Sequence, residues 1–184
     1  MKKTLIIIGS ARKGSSLFIG EYAKEYLLKM GTNAETIQLS DYKIDYCDGC
    51  LMCDETGSCH KDDDVSYLIE KVKAVDGVIF VSPTRWSLLS GDIKVFMDRW
   101  NPLAGKGIFN EKKSLIVSVG QTNTKDSESI ERAITSLRFF SDDAGFQFVG
   151  DFTFEECLGC NDIKDKKSEL SEFTKLLEKF LKAL

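Results

Sequence analysis

The clearest indication of the fold is the sequence Leu5-Ile6-Ile7-Ile8-Gly9-Ser10-Ala11-Arg12-Lys13-Gly14-Ser15-Ser16. Its first four residues form an unbroken apolar run, which is typical of a strand buried on both faces of a parallel sheet. A glycine ends the run, and the serines open a helical segment that extends to Met30. A buried strand, a glycine- and serine-containing turn and a helix indicate the first β–α unit of an α/β protein.

Similar units recur along the chain. Further strand candidates lie at residues 77–81, 115–119 and 146–150, with a weaker, edge-like candidate at 34–39. Helical segments are predicted at residues 65–72, 91–100, 127–143 and 170–184. Five β–α units favour a three-layer α/β sandwich in a single domain over residues 1–184. Right-handed crossovers would bring the carboxyl ends of the strands to one edge, where such sheets bind ligands.

Composition narrows the range of partners. The chain of 184 residues is 42% hydrophobic, as expected for a globular protein, and 25 basic against 29 acidic residues give a net charge of −4. This mildly acidic balance gives no electrostatic reason to expect nucleic-acid binding. No apolar run approaches membrane-spanning length, and the short run after Met1 is interpreted as a strand and not a signal peptide. We therefore expect a cytoplasmic protein with no membrane or nucleic-acid partner.

The loop after the first strand has the composition of a phosphate site. Glycines let the backbone approach an anion, while helix N-terminal amides and serine hydroxyls donate to it. The lysine of a nucleotide P-loop is missing after Gly14, and the Gly-x-Gly-x-x-Gly dinucleotide pattern is absent. A terminal monophosphate is therefore favoured, with an ordinary turn with capping serines as the alternative. The candidate residues are Ser10, Arg12, Lys13, Gly14, Ser15 and Ser16.

Four of the six cysteines lie within thirteen residues, in a loop at 47–60: Cys47, Cys50, Cys53 and Cys59. Steps of three residues with a fourth thiol nearby are a spacing that holds iron–sulfur clusters. Zinc is the main rival, and disulfides or unligated thiols are further alternatives. The only histidine, His60, is interpreted as a surface residue. A second pair, Cys157 and Cys160, follows the fifth predicted strand. These two cysteines could form a redox pair, serve as metal ligands or have no role, and the sequence does not decide between these.

Three motifs carry a resemblance to a known family. They are Gly9-Ser10-Ala11-Arg12-x-Gly14-Ser15-Ser16, Ser82-Pro83-Thr84-Arg85-Trp86 and Ser90-Gly91-Asp92-Ile93-Lys94-x-Phe96-Met97-Asp98-Arg99. With them, almost the whole chain resembles the NAD(P)H-dependent FMN reductase family of flavodoxin-like proteins, and the cysteine loop resembles that of the iron–sulfur flavoprotein branch. The resemblance implies FMN, a five-stranded parallel sheet in the order 2-1-3-4-5 and a homodimer or homotetramer.

The same resemblance extends to individual residues. It implies that the loop after the third strand lies beside the isoalloxazine ring, through Pro83, Thr84, Arg85, Trp86 and Ser87. The loop after the fourth strand, Gly120, Gln121, Thr122 and Asn123, is expected to close the other side of the ring. Lys94, Asp98 and Arg99 are assigned to structure, because the first two form a helical i,i+4 ion pair.

We therefore expect an FMN-dependent oxidoreductase that passes electrons from NADPH, NADH or a reduced carrier to a small-molecule acceptor or a ferredoxin-type partner. A [4Fe–4S] cluster held by the cysteine loop would convert two-electron into one-electron transfer. No side chain is predicted to act as acid or base. A flavodoxin-like electron carrier is the first alternative, and a metal or redox sensor without flavin is the second.

Overall fold

The computed structural model describes residues 1–125 and 127–184, and in this part of the chain five parallel strands form one sheet in the order β2-β1-β3-β4-β5. The strands are β1 (Lys3–Ile8), β2 (Asn33–Gln38), β3 (Gly77–Pro83), β4 (Lys113–Val119) and β5 (Gln147–Phe154). The predicted α/β class, flavodoxin-like topology and strand order are therefore confirmed.

Helices cover both faces of the sheet. They are α1 (Ser15–Lys29), α2 (Met52–Thr56), α3 (Val65–Lys73), α4 (Gly91–Asp98), α5 (Ser129–Ala144), α6 (Asp162–Asp165) and α7 (Lys167–Ala183), with short 3-10 turns at Leu39–Asp41 and Asn101–Leu103. In the described residues, no helix combines the length and the apolar character needed to cross a membrane.

Alternate residues of the central strands supply the two apolar cores. Leu5 and Ile7 of β1 face the core beneath α3, α4 and α5. Ile6 and Ile8 face the opposite core, beneath α1, α6 and α7. Successive strand side chains point to opposite faces, so an unbroken apolar run is what a doubly covered strand requires.

The sequence patterns missed two kinds of feature. The fifth strand extends to Phe154, beyond the predicted 146–150, because polar Asp151 and Thr153 alternate with apolar residues on an edge strand. The short helices α2 and α6 were not predicted, since four or five residues are too few to show a helical period.

Gly9 brings α4 against the end of β1. Its amide donates to the Val81 carbonyl at 2.9 Å. A Cβ at this position would lie 2.1 Å from Ile93 Cγ1 and 2.6 Å from Ser90 Oγ. The first turn of α4 can therefore rest on the β1 terminus only because position 9 has no side chain.

We expect Gly9→Ala to lower the free energy of unfolding by about 1–3 kcal/mol, because the added methyl group overpacks the contact with Ile93. Gly91→Ala is the matched control. A Cβ at Gly91 meets no atom within 4 Å, and the change should be neutral or stabilising by up to about 1 kcal/mol. Denaturant unfolding followed by circular dichroism measures both, and equal losses in the two variants would contradict the close contact.

Candidate functional site

Loops from the carboxyl ends of the strands line a shallow cleft, which is partly open to solvent. The loops after β1, β3 and β4 form most of its wall, as the parallel topology requires. The lining residues are Ser10, Arg12, Gly14, Ser15, Ser16, Pro83, Thr84, Arg85, Val119, Gly120, Gln121 and Cys157.

The first turn of α1 faces this cleft without a side-chain cap. Gly14 occupies the N-cap position and has no side chain that could cap the helix. Ser15 and Ser16 begin the helix and are buried. Amides in the first turn of a helix have no intrahelical carbonyl partner, and the helix dipole adds partial positive charge. Arg12 lies over Gly14, with its Nε 3.1 Å from the place a Cβ would occupy. This end of the cleft is therefore suited to an anion.

The loop after β3 is held from below by hydrogen bonds to β4. The Thr84 amide donates to the Val119 carbonyl at 2.8 Å, and the Thr84 and Ser118 hydroxyls lie 3.2 Å apart. Beyond it, Arg85 and Leu88 close a tight turn whose two central residues, Trp86 and Ser87, have left-handed φ angles of 47° and 62°. This turn directs Trp86 fully into solvent.

The loop after β4 passes close to α5. A Cβ on Gly120 would lie 2.4 Å from Ile130 Cγ1, so this position also requires glycine. Gly120 donates its amide to the Phe154 carbonyl and accepts from the Cys157 amide, both at 2.9 Å. Thr122 instead accepts from the Glu156 amide at 3.2 Å and does not line the cleft. The loop after β5 is thereby fastened to the same wall.

Most of the predicted flavin-loop residues thus come together at the cleft. Five do not line it: Lys13, Trp86, Ser87, Thr122 and Asn123. Two residues that line the cleft were not assigned to it from the sequence, Val119 at the end of β4 and Cys157. Cys157 is buried in the wall, and burial raises the pKa of its thiol to about 11. Its position just after the fifth strand was the available signal, because that strand ends at the same edge.

The cysteine loop lies apart from this cleft, and none of its four cysteines lines it. Its thiols meet the carboxyl end of α4. Cys59 Sγ accepts from Arg99 Nη2 at 3.3 Å, and Cys53 Sγ accepts from Asn101 Nδ2 at 3.3 Å. Helix α4 begins beside the cleft and has eight residues, so its far end is on the order of 12 Å away.

Left-handed backbone at three positions lets the loop wrap. Gly49, Leu51 and Gly57 have φ angles of 71°, 62° and 73°. Cys47 and Cys50 are exposed, whereas Cys53 and Cys59 are half-buried. Exposed His60 places its Nδ1 3.4 Å from Cys50 Sγ. The thiols are free in the structure, so disulfides among them are not present in the described residues.

A buried ion pair between Arg99 and Asp63 ties the two ends of this loop together. The two side chains are 1% and 0% exposed, respectively. Arg99 Nη1 donates to the Asp45 carbonyl at 2.7 Å, and Asp63 accepts from the Asp45 amide at 3.0 Å and the Val65 amide at 3.1 Å. One ion pair therefore links the chain before Cys47 to the chain after Cys59.

Hydrogen bonding outweighs desolvation at both members of the pair. Burial alone would raise the pKa of Asp63, but the bonds from Arg99 and from the two backbone amides hold it below its usual value. Burial alone would lower the pKa of Arg99, but Asp63 and Cys59 hold it above its usual value. Arg99 was assigned to structure from the sequence, and its contact with a cysteine sulfur was missed.

The chain is similar in sequence to known flavoproteins. An iron–sulfur flavoprotein of Methanocaldococcus jannaschii is 33% identical over 128 residues, which are 69% of this chain and 66% of that protein. An iron–sulfur flavoprotein of Methanosarcina thermophila is 26% identical over 94% of this chain and 95% of that protein. The matches to the first curated relatives span about half to two thirds of those proteins' own length.

A solved structure has the same fold. The FMN-dependent NADH-azoreductase of Bacillus anthracis, in complex with FMN, superposes with a TM-score of 0.73 at 14% identity, over 96% of this chain and 98% of that one. Identity at this level establishes the fold alone. The family model described as NADPH-dependent FMN reductase matches residues 2–154. This match covers most of the sequence, and the chain therefore belongs to the NADPH-dependent FMN reductase family.

Proposed function

We propose that this protein is an FMN-dependent oxidoreductase that takes electrons from NADPH or NADH and passes them to an acceptor through a [4Fe–4S] cluster. The observation that carries the proposal is the uncapped first turn of α1, which opens into a cleft whose wall is completed by the loops after β3 and β4. Membership of the FMN reductase family and the iron–sulfur flavoproteins among its relatives support it. FMN, when bound, would accept a hydride as two electrons and release them singly.

The phosphate end of the cleft would be formed by the loop after β1. Ser15 and Ser16 would donate through their amides and hydroxyls, as a helix N-terminus does to a monophosphate. Gly14 would let the backbone approach, Ser10 would offer a further polar group, and Arg12 would add positive charge. Lys13 is exposed and outside the cleft wall, so its contribution would be long-range and screened.

The ring end would be formed by the loops after β3 and β4. Pro83, Thr84 and Arg85 line one side of the cleft, and Gly120 and Gln121 line the other. Trp86, Ser87 and Thr122 belong to the same loops, but in this chain alone they face away from the cleft. Their contribution would be to hold the shape of each loop, and buried Cys157 would supply an apolar wall.

The cysteine loop fits a cluster by its donor chemistry. Four thiols in one wrapped loop match the ligand count of a [4Fe–4S] cluster, and two of their sulfurs already accept N–H bonds from outside the loop. Cys47, Cys50, Cys53 and Cys59 would be the ligands. Zinc remains the competing metal, because it accepts the same thiolates.

A second copy of the chain would complete the assembly. Large apolar side chains remain exposed on the loop after β3 and on α5: Trp86, Leu88 and Phe139 are 100%, 55% and 66% exposed. Leu88 and Phe139 border one groove between α4 and α5. Contiguous exposed apolar surface of this kind marks interaction sites. A partner subunit there could cover the flavin and shield a neighbouring cysteine loop.

Replacing Ser15 and Ser16 together by Glu should release FMN, because two carboxylates would stand where the phosphate is expected. Flavin content of the purified protein, measured by absorbance and normalised to protein, is the readout. The control double variant Ser66→Glu/Ser171→Glu adds the same charge on exposed helix positions and should keep its flavin. A folded Ser15→Glu/Ser16→Glu protein with full flavin content would refute the phosphate assignment.

Anaerobic reconstitution with iron and sulfide should load about four of each per chain. Cys50→Ala should lose most of this iron, since it removes one ligand, whereas Cys160→Ala, outside the loop, should not. Metal and sulfide analysis measures both variants. Stoichiometric zinc instead of iron, or equal iron in the two variants, would leave a flavin reductase without a cluster.

With flavin bound, the protein should form a homodimer or a larger homo-oligomer at micromolar concentration. Phe139→Lys should shift it towards the monomer, because a charge would then sit in the apolar groove. Tyr67→Lys, at a comparably exposed aromatic on α3, is the control. Light scattering gives the masses, and a monomeric wild-type protein would be incompatible with this assembly.

A further inference from the structure

The carboxyl end of α4 and the 3-10 turn after it present two N–H donors to two sulfurs of the cysteine loop. Arg99 Nη2 lies 3.3 Å from Cys59 Sγ, and Asn101 Nδ2 lies 3.3 Å from Cys53 Sγ. Asn101 also donates to Asp54 Oδ1 at 3.2 Å. The two donors stand two residues apart in the chain, and they lie 40 and 48 residues from the cysteines they reach. This arrangement is built by the fold and not by the loop itself.

Arg99 is fixed far more firmly than a surface side chain. Its guanidinium is buried, paired with Asp63, and bonded to the Asp45 carbonyl at 2.7 Å. Its Nε has no hydrogen-bond partner among the described residues, so the side chain tolerates a buried unsatisfied donor in this orientation. An N–H donor that is buried at a cost and held by several partners is preorganised. N–H groups that tune metal centres are held in the same way.

We propose that Arg99 and Asn101 are positioning residues that set the reduction potential of the cluster through N–H···S bonds to Cys59 and Cys53. The inference rests on the cluster in the proposed function. Adding one electron, with no proton, takes a [4Fe–4S] centre with four thiolates from a total charge of 2− to 3−. N–H donors aimed at the ligand sulfurs stabilise the more negative form and raise the potential.

The effect is local because Asp63 already neutralises the guanidinium charge. The bond dipole on Arg99 Nη2 therefore acts on Cys59 in much the same way as the neutral amide of Asn101 acts on Cys53. The two contributions should be of similar size. A merely structural role for either residue would change the unfolding temperature and leave the potential where it was.

Asn101→Ala is the primary test, because Asn101 is exposed and its removal should leave the fold intact. The equilibrium constant for one-electron reduction of the reconstituted protein should fall about tenfold, which corresponds to about 59 mV for a one-electron couple. In Asn101→Asp this equilibrium constant should fall further, because the substitution replaces the donor with a negative charge. Arg99→Lys keeps the charge opposite Asp63 but loses the planar guanidinium group, and the equilibrium constant should again fall about tenfold.

Anaerobic reductive titration followed by electron paramagnetic resonance gives each midpoint. Lys94→Gln is the control: this residue is exposed on the same helix, pairs with Asp98, and should change the constant less than threefold. Iron and sulfide are measured on every sample. Wild-type protein without a cluster would overturn the proposed function and this inference together.

Full clusters in Asn101→Ala and Arg99→Lys with constants within threefold of wild type would overturn the inference alone. Folded Asn101→Ala protein that cannot keep its iron would also overturn it, because Asn101 would then act in assembly and not on the potential. A tenfold fall with full iron content, absent in Lys94→Gln, is the result the inference requires.

Discussion

The shared direction of neighbouring strands determines where the loops and helices of this protein lie. β1 pairs in parallel with β2 on one side and with β3 on the other, Ile7 standing opposite both Ile37 and Phe80. Each strand must therefore release the chain at the same edge, and each return must cross a face of the sheet as a helix. The cleft is the direct result, because the loops after β1, β3 and β4 have no other place to meet.

The same constraint separates the two candidate centres within one chain. Helix α4 begins near the edge where the strands end and runs along one face of the sheet to its carboxyl end. The cysteine loop follows it there and is held by the buried pair of Arg99 and Asp63. Breaking such a pair by removing one partner costs several kcal/mol, because the other charge is left buried. The position of the thiols therefore depends on an ion pair and not on the loop's own short helix.

Much of this arrangement could be predicted from the sequence, for identifiable reasons. Unbroken apolar runs define β1, β3 and β4, and the serines after Gly14 indicate an anion site at a helix start. Contacts between distant residues could not be predicted in this way. Nothing local relates Arg99 to Cys59, forty positions away. The exposure of Trp86 could not be predicted either, because it depends on left-handed backbone at two residues that are not glycine.

In the proposed function, electrons enter from a nicotinamide nucleotide and leave singly. The most direct measurement mixes the reconstituted protein anaerobically with NADPH or NADH and follows flavin absorbance together with the paramagnetic signal of a reduced cluster. Rapid bleaching of the flavin, followed by the cluster signal, is the result expected of this electron path. A flavin that stays oxidised with both nucleotides, yet is reduced by a ferredoxin-type carrier, would contradict it and identify an electron-transfer protein.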